Sequence, residues 1–461
     1  MKLTVIGGAG VRTPMMILGL IRRHREIPIK ELCIYDTSEE KREVIGAIIR
    51  HLALSQRAPF AVRIVEDAAE AVRGADFIYT AIRVGGEHGR VVDEKAALRH
   101  GVLGQETTGP GGLAMALRTI PVMLEYADMI EREAPRAWVI NFTNPAGLIT
   151  EALCRHTKLK VIGICDAPSA LKLDIARFLG ERPEEVYVNY FGLNHLGWIN
   201  RVLVRGEDRL PEIVGNFSRF AETSPHMGGF SPELIRRLGM IPNEYLYYYY
   251  YRDQAVDRII KGGRTRGEQV AELNRKLIAE LQPLVQSGDM DGALKVYSRI
   301  MAERHDSYMA AETGTSRPQQ PHDDSRIFED EGYAGLAMGV LSAICGNRKS
   351  CFVLNVPNQG ALEGLAPDDV AEVPCMVDAN GPVPLAVGKV PDAVKGLIHS
   401  VKQYERLAVS AAVNGSREDA LMALAIHPLV CSVPLAERIL DDYLNEHASH
   451  LPQFGKRRTT E

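Results

Sequence analysis

The sequence predicts an α/β protein built on a doubly wound, Rossmann-type parallel sheet, followed by a C-terminal α+β domain. Three observations predict it. Over the first 165 residues, short runs rich in Val and Ile alternate with longer amphipathic stretches, the pattern of βαβ units whose strands are covered on both faces. The first run leads straight into Gly7-Gly8-Ala9-Gly10. The second ends in Tyr35-Asp36.

Taken in order, the expected strands are Leu3 to Ile6, Leu32 to Tyr35, Val62 to Val65, Phe77 to Thr80, Ala137 to Asn141 and Lys160 to Ile164. Helical patterns lie between them. Pro14 to His24 follows the glycine turn, Ser38 to Leu54 opens on a capping serine with Glu39 and Glu40 in its first turn, and Ile120 to Glu133 precedes the fifth strand. Beyond residue 185 the texture changes. Val186 to Tyr190 and Leu196 to Arg205 alternate as antiparallel strands do, which predicts domains over 1–185 and 186–461. Helices follow over Gly267 to Ser287 and Gly332 to Ala343, and Thr313 to Asp324 reads as a polar loop. The stretch Arg417 to Asn445 is interrupted by Pro428 and Pro434 and is therefore several helices.

Composition limits the partners. The chain has 461 residues, 46% hydrophobic and 25% charged, with a net charge of −5. That balance suits a globular protein with a small-molecule ligand and asks for neither nucleic acid nor an anionic membrane. No run reaches the roughly 20 apolar residues that cross a bilayer. The N-terminus reads as a first strand rather than a secretion signal, and a cytoplasmic protein is expected. Seven scattered cysteines form neither a disulfide framework nor a zinc ribbon.

Gly7, Gly8 and Gly10 fall at a strand-to-helix turn, where backbone amides and a helix N-terminus can receive a pyrophosphate. Asp36, at the end of the second strand, suits the ribose hydroxyls of NAD and repels the extra phosphate of NADP. The spacing is not a strict GxGxxG; dinucleotide binding is still the favoured reading of the loop by itself, and a glycine turn with no ligand is the alternative.

Several further segments together resemble glycoside hydrolase family 4, the NAD- and manganese-dependent family that includes 6-phospho-β-glucosidases, 6-phospho-α-glucosidases and α-galactosidases. They are Arg83-Val84-Gly85-Gly86 with Arg90, Gly104-Gln105-Glu106-Thr107-Thr108-Gly109-Pro110-Gly111-Gly112, Asn141-Phe142-Thr143-Asn144-Pro145, Gly163-Ile164-Cys165-Asp166, Gly192-Leu193-Asn194-His195 and Asn355-Val356-Pro357-Asn358. The stretch from Gly104 to Pro121 is most similar to the 6-phospho-β-glucosidase branch. The resemblance implies a fold like that of lactate and malate dehydrogenases, and a homodimer or homotetramer. One departure concerns the sugar phosphate: many members carry a serine and a tyrosine where this chain has Gly10-Val11-Arg12, and Arg12 substitutes a charged donor for a neutral one.

The chemistry implied by the resemblance differs from that of two-carboxylate glycosidases. Hydride passes from C3 of the sugar to NAD, the C2 proton becomes acidic, and a base removes it. The group at C1 is expelled, water adds and the hydride returns. By resemblance Cys165 and His195 hold Mn²⁺ or another divalent ion, Asp166 donates a proton to the leaving group, and Tyr245 is the C2 base, with Glu106 accepting its proton or hydrogen bond. Arg90 and Asn144 contact the sugar, and Asn194 is a substrate contact or a support for the ligands. Read residue by residue, these positions have plainer roles. A lone cysteine or histidine is usually core, Asp166 can cap the helix starting near Pro168, and Arg90 can pair with Asp93 or Glu94. Tyr248 or Tyr249 can face the site in place of Tyr245. A dehydrogenase that releases NADH, a non-catalytic NAD sensor and an α-glycosidase are the competing functions.

Overall fold

Six parallel strands form the N-terminal half: β1 (Lys2–Ile6), β2 (Glu31–Tyr35), β3 (Ala61–Val65), β4 (Phe77–Thr80), β5 (Trp138–Asn141) and β6 (Lys160–Gly163). All six fall within a residue or two of the sequence expectation. In this computed structural model, which describes residues 1–224, 227–314 and 332–455, they lie in the order β3-β2-β1-β4-β5-β6. The order reverses between β1 and β4, so the crevice above their carboxyl ends is the natural ligand site of the fold. Central strand β4 is buried along its whole length, which is why it reads as an unbroken apolar run.

The connecting helices are α1 (Thr13–Arg22), α2 (Glu39–Ser55), α3 (Ala68–Val72), α4 (Gly86–Arg99), α5 (Gly109–Glu133), α6 (Ala146–His156) and α7 (Asp166–Leu179). Ser38 caps α2 by accepting from Lys41 N at 3.3 Å. Helix α5 starts well before the expected Ile120, because its glycine-rich opening is a packing device rather than a loop. A Cβ on Gly111 would lie 2.1 Å from Gln105 O, and one on Gly112 2.5 Å from Thr107 O. Pro121 sits inside this helix and has no N–H for the carbonyl of Leu117. Gln453 fills the gap by donating from Nε2 to Leu117 O at 2.9 Å.

The C-terminal half contributes to two layers. Strands β7 (Val186–Leu193) and β8 (Leu196–Val204) form a hairpin, joined by Ile241–Pro242 in a second sheet. Strands Ser350–Pro357, Val370–Asp378 and Gly381–Pro384 return to the first sheet and extend it antiparallel beyond β6, to nine strands. Helices Arg266–Ser287, Gly332–Gly346, Arg417–Ile426 and Val433–Glu446 match the expected positions. Of the expected loop from Thr313, residues 315–324 lie outside the described residues. Among the described residues no helix is long and apolar enough to cross a membrane.

Candidate active site

The glycine turn closes on the sheet before it meets any ligand. Gly7 has φ +79°, and a Cβ there would lie 2.5 Å from Ala81 O. A Cβ on Gly8 would lie 2.8 Å from Val5 O. Both amides donate to Tyr35 O, at 2.9 and 2.8 Å, so these two glycines are needed for the turn itself. Gly10 lines a cavity of about 560 Å³ together with Gly7, Asp36, Tyr126, Arg83 and Arg304. Asp36 accepts from Ala9 N at 3.1 Å and from Ser38 N at 3.0 Å. These backbone donors aim its carboxylate while leaving lone pairs for hydroxyls. The cavity thus joins an acidic, ribose-type end to an arginine-rich end.

The predicted ligand pair connects to this cavity through the loop in which Glu106 pairs with Arg83 and Thr107 meets His195. Cys165 ends the β6 run as the N-cap residue of α7, and His195 occupies the β7–β8 turn with φ +61°. The topology brings Cys165 Sγ to 3.4 Å from His195 Nε2. Thr107 Oγ1 lies 2.6 Å from His195 Nδ1 and 3.0 Å from Gln105 Oε1. The single hydroxyl proton goes to the Gln105 carbonyl, so the threonine oxygen accepts from Nδ1–H and Nε2 keeps its lone pair toward the sulfur. Burial lowers the imidazole to about 3, the charge of Glu106 opposing, and His195 is neutral. Burial, followed by the charges of Glu372 and Asp166, raises the Cys165 thiol well above its ordinary value.

Tyr245 covers this pair. Its ring stacks on His195 with centroids 3.6 Å apart and planes 5° from parallel. Its backbone is fixed by a short turn over Glu244–Leu246, where Asn243 Oδ1 accepts from Tyr245 N at 3.0 Å. The neighbouring tyrosines are engaged elsewhere. Tyr249 Oη meets His427 Nε2 at 3.5 Å, Tyr250 Oη accepts from Trp198 Nε1 at 3.2 Å, and Tyr251 Oη reaches Ser231. Tyr248 is fully buried with its ring 6.1 Å from that of Tyr245, and Tyr245 is the member of the run whose ring stacks on His195.

The other predicted residues divide. Asp166 opens α7, whose N-terminus carries no side-chain cap bond, and its charge bears on both Cys165 and Tyr245. Asn144 follows β5 at the head of α6, half-buried. Asn194 Nδ2 donates to Glu372 Oε1 at 3.0 Å, where Asn355 Nδ2 also donates at 2.9 Å and Tyr190 Oη reaches Oε2 at 2.8 Å. Burial pushes Glu372 up to about 7 against those three donors. Glu106 is not bonded to Tyr245 as expected. It pairs with Arg83 Nη2 at 2.5 Å and Arg90 Nη1 at 2.7 Å, while the Tyr245 hydroxyl meets Tyr308 Oη at 2.7 Å. Burial alone would raise the Glu106 carboxyl, but Arg83 and Arg90 together hold it at about 2. Arg90 is in turn spent on Glu106 and on Glu94, 2.8 Å away.

The pair fits a shared ion. Bonds of about 2.3 Å to sulfur and 2.1 Å to nitrogen span a gap of this size, and a hydrogen-bonded Nδ1 is the usual support of a ligating Nε2. Among the described residues no group of three or more His, Cys, Asp and Glu side chains is placed to hold an ion. Sequence reasoning missed Thr107, Tyr308 and Glu372. Only Thr107 carried a signal, its place in the Gly104–Gly112 segment.

Fold and site together define a Rossmann-type α/β protein in which the Cys165 thiol and the His195 imidazole meet. The fold is shared with lactate dehydrogenase from Eimeria maxima, at a TM-score of 0.52 and 13% identity over 90% of this chain and 98% of that one. The family 4 glycosyl hydrolase model matches residues 2–181 and that family's C-terminal domain model matches 190–430; the chain belongs to glycoside hydrolase family 4 and is a glycosidase. A probable 6-phospho-β-glucosidase of Bacillus subtilis (strain 168) is 34% identical, covering 98% of both chains. A 6-phospho-α-glucosidase from gut microorganisms, solved with NAD and glucose-6-phosphate, has a TM-score of 0.84 at 28% identity, covering 98% of this chain and 99% of that one. The 6-phospho-β-glucosidase of Thermotoga maritima, solved with manganese, NAD⁺ and glucose-6-phosphate, has a TM-score of 0.81 at 29% identity, with the same coverage.

Proposed function

We propose that the chain hydrolyses 6-phospho-β-glucosides using NAD and a divalent metal, by oxidation at C3 and elimination across C2 and C1. The observation that carries this reading is Tyr245 lying over the Cys165–His195 pair, joined through Thr107 and Gln105 to the loop whose Glu106 anchors Arg83 on the dinucleotide cavity. When bound, NAD supplies a hydride acceptor and the metal a Lewis acid for vicinal sugar oxygens. Cys165 and His195 hold the ion, and Gly10 and Asp36 seat the cofactor. Tyr245 takes the C2 proton, Asp166 protonates the departing oxygen, and Asn144 and Asn194 bind sugar hydroxyls. Glu106 keeps Arg83 and Arg90 in place.

A phosphate suits the arginine-rich end of the cavity. Burial, then the charges of Arg12, Arg266 and Arg90, lower Arg304 to about 9, with Glu87 opposing. Among the described residues the Arg304 Nε has no hydrogen-bond partner, and a phosphate dianion relieves both conditions. The likeness to a 6-phospho-α-glucosidase favours one second reading, the α-anomer of the same phosphosugar. The setting proposed is a cytoplasmic homo-oligomer. A p-nitrophenyl glycoside panel, α and β, with and without 6-phosphate, assayed with NAD, Mn²⁺ and a thiol reductant, tests the reading. Turnover confined to the 6-phospho-β-glucoside supports it, and preference for an unphosphorylated sugar contradicts it.

A further inference from the structure

One buried carboxyl underlies both arms of the site. Glu372, 1% exposed, lies on the strand Val370–Asp378 opposite Asn355. Its Oε1 accepts from Asn194 Nδ2 at 3.0 Å and from Asn355 Nδ2 at 2.9 Å, and its Oε2 accepts from Tyr190 Oη at 2.8 Å. Asn194 and His195 are the two residues between the paired Leu193 and Leu196, so a hold on Asn194 is a hold on the turn that presents the imidazole. On the other side, Asn243 Nδ2 donates to Tyr190 Oη at 3.2 Å, while Asn243 Oδ1 accepts from Tyr245 N at 3.0 Å. One path therefore runs from Glu372 to His195 and a second from Glu372 to Tyr245, whose rings meet 3.6 Å apart.

Packing leaves the donors little freedom. A Cβ on Gly197 would lie 2.3 Å from Tyr190 Oη, and one on Gly163 2.8 Å from the Asn355 Cβ, so both glycines make room for side chains that converge on the carboxyl. Asn355 gives its amide to Glu372 although its own buried Oδ1 has no hydrogen-bond partner among the described residues, and such orphaned acceptors are rare in folded proteins.

We propose that Glu372 is the positioning residue that sets His195 and Tyr245 against each other, through Asn194 on one path and through Tyr190 and Asn243 on the other, a proposal that rests on His195 being a metal ligand and Tyr245 the C2 base. Tyr190 and Glu372 are buried beneath the site and act through the groups that they hold. A reacting group misplaced by about 1 Å costs on the order of 100-fold in rate. Loss of the support behind a metal ligand costs about 10- to 100-fold in affinity.

The test compares three variants of the NAD-loaded protein by Mn²⁺ affinity, read by electron paramagnetic resonance, and by hydrolysis of a p-nitrophenyl 6-phospho-β-glucoside at saturating Mn²⁺. Glu372→Leu removes both paths, Tyr190→Phe removes only the path to Tyr245, and Glu372→Gln keeps an acceptor for the two asparagines. Thermal melting and NAD affinity check that each folds. Glu372→Leu is expected to weaken Mn²⁺ about 10- to 100-fold and to lower kcat about 100-fold. Tyr190→Phe is expected to lower kcat about 10-fold, with KM and the Mn²⁺ Kd changed by less than about twofold. Glu372→Gln is expected to bring Mn²⁺ affinity back to within about threefold of wild type. A lower melting temperature in Glu372→Leu with wild-type Mn²⁺ Kd and wild-type kcat per NAD-binding site overturns the proposal, because the carboxyl then serves folding alone. So does a Tyr190→Phe variant that weakens Mn²⁺ as strongly as Glu372→Leu. Should Glu372→Leu fail to fold, Tyr190→Phe decides, a wild-type kcat there overturning the proposal. Wild-type Mn²⁺ affinity in His195→Ala, or full activity in Tyr245→Phe, overturns instead the reading beneath it.

Discussion

At the scale of single residues, hydroxyl and carboxamide groups in the site fix the direction of other groups. Thr107 is the sharpest case, since its oxygen sets the tautomer of His195. Thr107→Val keeps the shape and removes the hydroxyl, and Mn²⁺ affinity measured by electron paramagnetic resonance is expected to weaken about 10- to 100-fold. An unchanged Kd would show that the imidazole is held by something else. Glu106 has an electrostatic role of comparable weight. Losing it leaves the buried Arg90 and the part-exposed Arg83 each short of a partner, and Glu106→Gln is expected to cost about 3 kcal/mol in urea unfolding near neutral pH. The Glu106 carboxyl stands below its ordinary 4.5, at about 2. Its stabilisation is therefore complete above pH 4.5 and is lost as pH falls toward 2. The gap between wild type and variant should close over that range; a constant gap would contradict the assignment.

These particulars also mark what the sequence made legible. Cys165, His195 and Tyr245 could be named because they sit in segments with a family pattern, and the structure gathers them. The tyrosine register could not be read from five consecutive tyrosines, because it depends on a 3₁₀ turn capped by Asn243 and on the partners of Tyr249 to Tyr251. The partners of Glu106 were equally hidden. Its competitors Arg83 and Arg90 come from α4 and the loop before it, and only their approach in space decides which group the carboxylate meets.

At the scale of elements, the strands were legible and one helix start was not. Apolar runs of four or five residues between turn signals can hardly be anything else in a βαβ frame, whereas Gly109-Pro110-Gly111-Gly112 looks like loop by propensity. The helix forms there because glycine lets its first turn pack directly on the backbone of Gln105 and Thr107, the same residues that orient His195. The far end of the same helix depends on a contact no local rule anticipates, the Gln453 amide on the carbonyl beside Pro121. Gln453→Ala leaves that carbonyl unsatisfied and is expected to cost about 1 to 2 kcal/mol, read as a lower urea midpoint with an unchanged slope. A midpoint equal to wild type would mean that water replaces the amide without loss.

At the scale of the whole molecule, the return of the chain to its first sheet builds the site. Asn355 lies opposite Gly163 on β6 and opposite Glu372 on the next strand, which places a buried carboxylate beneath the residues that follow β6. The hairpin β7–β8 then delivers Asn194 and His195 from the other layer. A dehydrogenase-like sheet lines the dinucleotide-type cavity, and the added strands and hairpin bring Glu372, Asn194 and His195 together beside Cys165. The central claim is that NAD is used and restored within each turnover while C2 loses and regains a proton. The direct measurement is hydrolysis of a 6-phospho-β-glucoside in D₂O with NAD and Mn²⁺, followed by mass and proton spectra of the sugar product. The expected result is deuterium at C2 of the released glucose 6-phosphate with no accumulation of NADH. Hydrolysis with C2 still fully protiated, or NADH formed in proportion to product, would contradict it.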